Sequence, residues 1–409
     1  MVLSVHSTLT MPSPKHQKRI AVVSSSRADL AHLIHPLRAL QAERRIELSV
    51  LATGALLQPE FGNAVDRLVE EGLHVVKVPC PLNIESGADA ARAIGAATTA
   101  FADALETLSP EILVVVADRF EMLAPANAAL AMRIPIAHIE GGERSEGAID
   151  DAIRNALTKM SHVHLVATEE ARQRVLAMGE EDWRVHRVGA ASLDHVQKSV
   201  IPERPALEME LGIALGGPLL LVGVHPVTLE DDPTFDARAV LNALANRKER
   251  IVFCFPNADE GSREISELVG AFAAKRQAAY VFRNLPPETW FGLLYLADAI
   301  IGNSSSVLME SPTVPLPAVC VGKRQAGRER ASNVIDAPAN PVGINEAIDQ
   351  ALAMELGLVT NPFGDGRASE RIVRALADLP DTHRLLHKQT TIRLSTKKMD
   401  TDLKSRRPL

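Results

Sequence analysis

Short runs of β-branched and aliphatic residues recur along the chain, separated by longer Ala-, Leu-, Arg- and Glu-rich stretches with helical spacing. An apolar run of five or six residues without polar alternation must be buried on both faces, which describes a parallel sheet covered by helices. The runs are RIAVVS (19–24), IELSVLAT (46–53), HVVKV (74–78), ILVVVA (112–117), IPIAHI (134–139), VHLVAT (163–168) and RVHRVG (184–189). Helical patterns lie between them at 29–42, 60–71, 88–108, 121–132, 147–161 and 169–178. The rhythm breaks between Ser199 and Pro218, where Pro202, Pro205, Gly212, Gly216 and Gly217 cluster. It restarts with LLLVGVH (219–225), RIVFCFP (250–256), AYVF (279–282), AIIG (299–302) and PAVCVG (317–322). Helical patterns follow at 233–248, 261–276, 288–297 and 343–356. The expected fold class is therefore α/β, with two Rossmann-like domains facing across a cleft. The expected boundaries are a disordered leader (1–18), a front domain (19–200), a linker (201–217), a rear domain (218–365), a C-terminal helix (366–382) and a disordered basic tail (383–409). A chain of 409 residues exceeds what one core usually holds, which agrees with two domains.

Composition narrows the function. The net charge is −7 and aromatics make up 3%, which speaks against a nucleic-acid binder. Cys80, Cys254 and Cys320 are scattered, with no zinc pattern, and fit a reducing cytoplasm better than a disulfide framework. No apolar stretch approaches the ~18–20 residues of a membrane helix. No GxGxxG follows the first strand and no phosphate-loop lysine motif occurs, so nicotinamide and ordinary ATP chemistry are not expected.

Ligands in open parallel sheets sit beyond the carboxyl ends of the strands, so the residues after strands matter most. SSSRAD (24–29) follows the first. Arg27 stands at a helix start, where the dipole favours anions, and suits phosphate or sugar hydroxyls; capping by Ser26 with Arg27 paired to Asp29 explains the segment equally. VVVADRFEML (114–123) ends an apolar strand in Asp118, Arg119 and Glu121. A carboxylate against apolar surface moves toward general acid/base range, and capping accounts for only one of three charges. The densest cluster follows PIAHI: His138, Glu140, Gly141, Gly142, Glu143, Arg144, Glu146, Asp150, Asp151 and Arg154. Paired carboxylates of differing pKa are what deprotonation at carbon and protonation of a leaving group require. A solvated loop with Asp150 as cap covers one aspartate and leaves Glu140 unexplained. His225 in GVHPVT (223–228) ends a strand and could titrate near neutrality or hold an oxyanion. Gly302, Asn303, Ser304, Ser305 and Ser306 form a strand–turn–helix suited to phosphate, with Glu310 further on for ribose hydroxyls. Arg324, Gln325 and Arg328 follow in GKRQAGR, and arginines bind phosphate bidentately. From the residues alone, the rear domain holds a nucleoside diphosphate and the front domain acts on what it carries.

These motifs in order, RAD, ADRFE, HIEGGE, SEGAIDD, GVHPVT, FPNADEG, GNSSS and GKRQAGR, resemble the hydrolysing UDP-N-acetylglucosamine 2-epimerases over roughly residues 19–375. The resemblance implies a GT-B-like homodimer without metal or redox cofactor, converting UDP-N-acetylglucosamine and water to N-acetylmannosamine and UDP through a 2-acetamidoglucal. It implies acid/base roles for Asp118, Glu140 and Asp150 or Asp151, with His225 near the reacting end. Arg27, Ser304, Ser305, Ser306, Glu310, Arg324 and Arg328 would hold the nucleotide. Alternatives are the same reaction on a UDP- or GDP-linked 2,4-diacetamido sugar, a GT-B glycosyltransferase, or an inactive nucleotide-sugar-binding protein. The chain departs from the family pattern at Ser25, Leu56, Ala117, Val307 and Cys320, where the pattern has glycine, histidine, glycine, glycine and asparagine.

Overall fold

A computed structural model describes residues 17–58, 64–80, 87–144, 149–227, 230–254, 261–283 and 285–391, with Arg27, Ala28, Ala31 and Ala64 described by their backbone alone. The expected leader, apart from Gln17 and Lys18, and residues 392–409 lie outside the described residues. Seven parallel strands make the front sheet: β1 (Lys18–Ser24), β2 (Ile46–Ala52), β3 (Val75–Lys77), β4 (Ile112–Val116), β5 (Ile136–Ile139), β6 (Val163–Val166) and β7 (Val185–Arg187). Their order is β3-β2-β1-β4-β5-β6-β7. Six more make the rear sheet: β8 (Leu219–Gly223), β9 (Arg250–Cys254), β10 (Ala279–Phe282), β11 (Ala299–Gly302), β12 (Ala318–Val321) and β13 (Val334–Ala337), ordered β10-β9-β8-β11-β12-β13. Every pairing in both is parallel. The central strands β4, β5, β6, β8 and β11 are buried along their whole length, because helices cover both sheet faces. In each sheet the strand order reverses beside the first strand, so the crevice at β1/β4 and at β8/β11 is where a ligand is received.

Two parts of the sequence reading change. The expected linker holds a helix, Arg204–Leu211, whose Leu207 is fully buried in the rear core. The Pro and Gly that suggested open chain are its punctuation: Pro205 sits in its first turn and Gly212 closes it with φ 66°. The basic tail is packed in its first part. The helix Thr382–Leu386 lies against the front domain, with Leu385 buried. Fully buried Arg184 donates to the carbonyls of His162, Leu385 and His387. Lys388 reaches the carboxylate of Glu180, which also meets His164 and Lys159 and is wholly enclosed.

After Gly189 the chain still packs on the helix Arg27–Ala42, whose His35 lies 3.1 Å from His195 Nδ1 and 3.2 Å from Ser199 Oγ. The segment Phe363–Ala368, returning from the rear half, touches this stretch. Ala190 N–H donates to Phe363 O at 2.7 Å, and Asp194 accepts from the N–H groups of Ala368 and Ser369 at 2.7 and 2.8 Å. Gly189 and Gly364 both have positive φ, and a Cβ on Gly364 would stand 3.2 Å from the Gly189 Cα. The helix Ala368–Ala377 then packs on the front domain, where Lys18 Nζ donates to the carbonyls of Leu376, Ala377 and Leu379. Among the described residues no helix is long and apolar enough to cross a membrane.

Candidate active site

The front half contributes the tips of β1, β4 and β5. After β1, Asp29 gathers the N–H groups of Ser25 and Ser26 and the Ser25 hydroxyl, while Ser26 accepts from Asp29 N–H. This reciprocal cap begins the helix Arg27–Ala42 and accounts for Asp29 Oδ2. The side chain of Arg27 lies outside the described residues. After β4, Ala117 takes φ 54° and Asp118 receives Arg154 from the helix Asp150–Met160. Burial, with the charges of Arg324 and Arg174 adding to it, lowers Arg154 to about 9, so Arg324 of the rear half stands close to the Asp118–Arg154 pair. Arg119 Nη2 donates to the enclosed Glu121 at 2.9 Å.

After β5, Glu140 takes φ 62° and is buried. His32 Nδ1 lies 2.8 Å from its Oε1. Burial alone would raise Glu140; His32, Arg328 and the Ala191 N–H outweigh it and hold the carboxyl below its usual range. Glu140 is thus held as an anion at neutral pH. The two glycines that follow are demanded by contact. A Cβ on Gly141 would press on His138 Nδ1 and Thr158 Oγ1, at 2.8 and 2.9 Å, and Gly142, at φ 77°, lies against Ala171 O. Beneath them burial lowers His138 to about 4, a neutral ring bonded to Ala117 O at 2.7 Å.

The rear half contributes the tips of β8, β11 and β12. Gly302, at φ 140°, permits the turn, since a Cβ there would collide with Gly223 O. Asn303 is fully buried: its side chain bonds His225 N–H, His225 O and Asp236 Oδ2, and its carbonyl accepts from Arg324 and Gln325. Asn303 and Gln325, expected among the nucleotide-binding residues, brace the loop through these bonds. Ser304, Ser305 and Ser306 are half-buried before a helix of one turn, Ser306–Met309, so Glu310 lies beyond that helix, bonded by Trp290 Nε1 at 2.6 Å. Burial, with the charge of Arg324 adding to it, pulls His225 down to about 3. Of the two roles open to it, this shift disfavours titration near neutrality, and its Nδ1 is buried without a partner among the described residues.

The halves meet at Arg328. This enclosed guanidinium pairs with buried Glu143 of the front half, bonds Gln325 Oε1 at 3.0 Å, and acts on Glu140. Burial lowers it to about 10, still a cation at neutral pH. The charge of Glu310 acts on His32 across the same gap. The structure therefore brings together Asp118, Glu140, Glu310, Arg324 and Arg328, with His225 beside Arg324. Asp150 and Asp151 are half-buried at the first turn of their helix, where Asp151 accepts from Asn155 at 3.1 Å. Glu143 was visible in the charge cluster but not singled out, and His32 escaped the sequence reading because its partner is 108 positions away. Of the departures, Leu56, Val307 and Cys320 are wholly buried in the cores and Ser25 is bonded to Asp29; none of these projects a side chain into the gap.

Two parallel-sheet domains with acidic strand tips opposite a serine–arginine turn define a GT-B-like nucleotide-sugar protein. The family model described as UDP-N-acetylglucosamine 2-epimerase matches residues 38–377, and the chain belongs to that family. It is 35% identical over 327 residues (79% of this chain, 85% of the relative) to the GDP/UDP-N,N'-diacetylbacillosamine 2-epimerase (hydrolyzing) of Campylobacter jejuni. It is 31% identical over 373 residues (91% and 98%) to the UDP-N,N'-diacetylbacillosamine 2-epimerase (hydrolyzing) of Legionella pneumophila. The fold matches the Methanocaldococcus jannaschii UDP-GlcNAc 2-epimerase in complex with UDP-GlcNAc and UDP, with TM-score 0.70, 18% identity and coverage of 88% and 99%.

Proposed function

We propose that this chain is a hydrolysing 2-epimerase of a UDP-linked N-acetylated amino sugar, with a 2,4-diacetamido sugar favoured over N-acetylglucosamine. The observation that carries the reading is the convergence of Asp118 and Glu140 from one half with Arg324 and Arg328 from the other. The preference for a diacetamido sugar rests on the two relatives at 35% and 31% identity; a Neisseria meningitidis UDP-N-acetylglucosamine 2-epimerase is 29% identical.

The chemistry follows from the charges. Arg324 and Arg328 neutralise the diphosphate that departs with the anomeric oxygen, and arginine meets phosphate bidentately. A front-half carboxylate takes the C2 proton as the C1–O bond breaks, which yields a glycal and UDP. Water then adds its oxygen at C1, and a proton is delivered to C2 from the opposite face. Of the two carboxylates, Asp118 is half-exposed and its Arg154 partner is enclosed, so it is the more accessible base. No metal or redox cofactor is assigned, and the working unit is a homodimer.

Turnover in deuterated water tests this. UDP-linked diacetamido sugar and UDP-N-acetylglucosamine are supplied separately, and products are read by NMR. Free manno-configured sugar with deuterium at C2, released with UDP, is the expected result. Unlabelled transfer to an added sugar would favour a glycosyltransferase, and binding of UDP without turnover would favour an inactive binding protein.

A further inference from the structure

We propose that His32 is a positioning residue for this reaction, holding the Glu140 carboxylate charged and in one orientation toward the interdomain gap. The inference deepens the proposed function and rests on it. His32 lies one turn into the helix Arg27–Ala42, and its Nδ1 is 2.8 Å from Glu140 Oε1. The two side chains are not equally enclosed: His32 is 24% exposed and Glu140 is 7% exposed. The ring is thus the more accessible member of the pair, and the charge of Glu310 from the rear half acts on it.

Glu140 is fixed from behind. Its backbone is left-handed, and its N–H donates to Leu165 O at 2.9 Å. A backbone so held leaves the side-chain torsions free, and His32 with the Ala191 N–H pins them. The charged groups that act on the pair are Asp29, Glu310 and Arg328. Burial by itself lowers His32; Glu140 reverses this and raises the imidazole to about 9. At neutral pH the pair is imidazolium and carboxylate. Enclosed ion pairs add little net stability over apolar residues of the same shape, so folding alone gives no reason to keep this one. A carboxylate that must stay ionised beside a sugar does give one.

The test uses the full chain with His32→Leu and His32→Gln. In His32→Leu, kcat should fall on the order of 100-fold, while KM and UDP affinity stay within about twofold. The acidic limb of the kcat profile should move to higher pH, because buried Glu140 has lost its cationic neighbour. His32→Gln keeps a hydrogen-bond donor without charge, so it should recover part of kcat with the limb still displaced. An independent readout needs no turnover: by NMR the His32 ring should titrate near 9 in the wild type and lower in Glu140→Gln. A folded His32→Leu with kcat within about threefold of wild type and an unmoved limb overturns the proposal. So does a loss confined to KM, or a wild-type His32 titrating at its ordinary value. Wild-type protein that turns over neither nucleotide sugar would instead overturn the proposed function, and the NMR titration would still decide whether the pair exists.

Discussion

Ala117 sits at the tip of β4 with φ 54°, its N–H bonded to Ile139 O and its carbonyl to His138. An L-residue in that region presses its Cβ on the backbone, and glycine does not. Ala117→Gly should stabilise the protein by about 1 kcal/mol, read as a higher urea midpoint with unchanged slope; a lower midpoint would mean that the methyl packs more favourably than the turn is strained. One position on, Asp118→Asn keeps the shape but not the charge that Arg154 meets. UDP affinity should persist while turnover falls on the order of 100-fold or more, measured by calorimetry beside product NMR; unchanged turnover would remove Asp118 from the chemistry. At this scale the sequence was legible where chemistry is local. A carboxylate ending an apolar strand announces itself, and Asp118 and Glu140 both stand just past strand ends in the structure. That Asn303 and Gln325 bond inside the loop was not legible, because it depends on packing that no local pattern carries.

Among the elements, the packed C-terminal segment is where charge bears most on stability. Burial works against the Glu180 carboxylate, but His164, Lys159 and Lys388 hold it at about 2 against a usual 4.5. Because the folded pKa is depressed, its contribution is complete above pH 4.5 and is lost as pH falls toward 2. Glu180→Gln leaves two lysines without their anion and should cost about 3 kcal/mol at pH 7. Its stability should also fall less steeply than wild type between pH 4.5 and 2. Urea titrations across that range check both, and parallel wild-type and variant slopes would refute the assignment. Most strands were readable because each centres on a short apolar run; β13 was not, because Asp336 interrupts its run and it follows an arginine-rich loop. The helix Arg204–Leu211 was hidden by its own punctuation, since Pro and Gly mark the ends of a short helix as readily as they mark open chain.

For the molecule as a whole, the arginines that would hold the nucleotide belong to one half and the acidic tips to the other. UDP at a hundredfold excess over its Kd should stabilise the chain by about 2.7 kcal/mol. In Arg328→Met most of that gain should vanish, as read from urea midpoints with and without UDP; an equal gain in both proteins would place the nucleotide away from Arg328. The two-domain plan was legible from the rhythm of the strands. The meeting of Arg328 with Glu143 was not, because 185 positions separate them and only the docking of the halves joins them.

The end of the front sheet and the segment returning from the rear half touch at one spot, where Gly189 lies against Gly364. A methyl group at either position would wedge this seam apart, since both backbones are left-handed and a Cβ on Gly364 would already stand 3.2 Å from the Gly189 Cα.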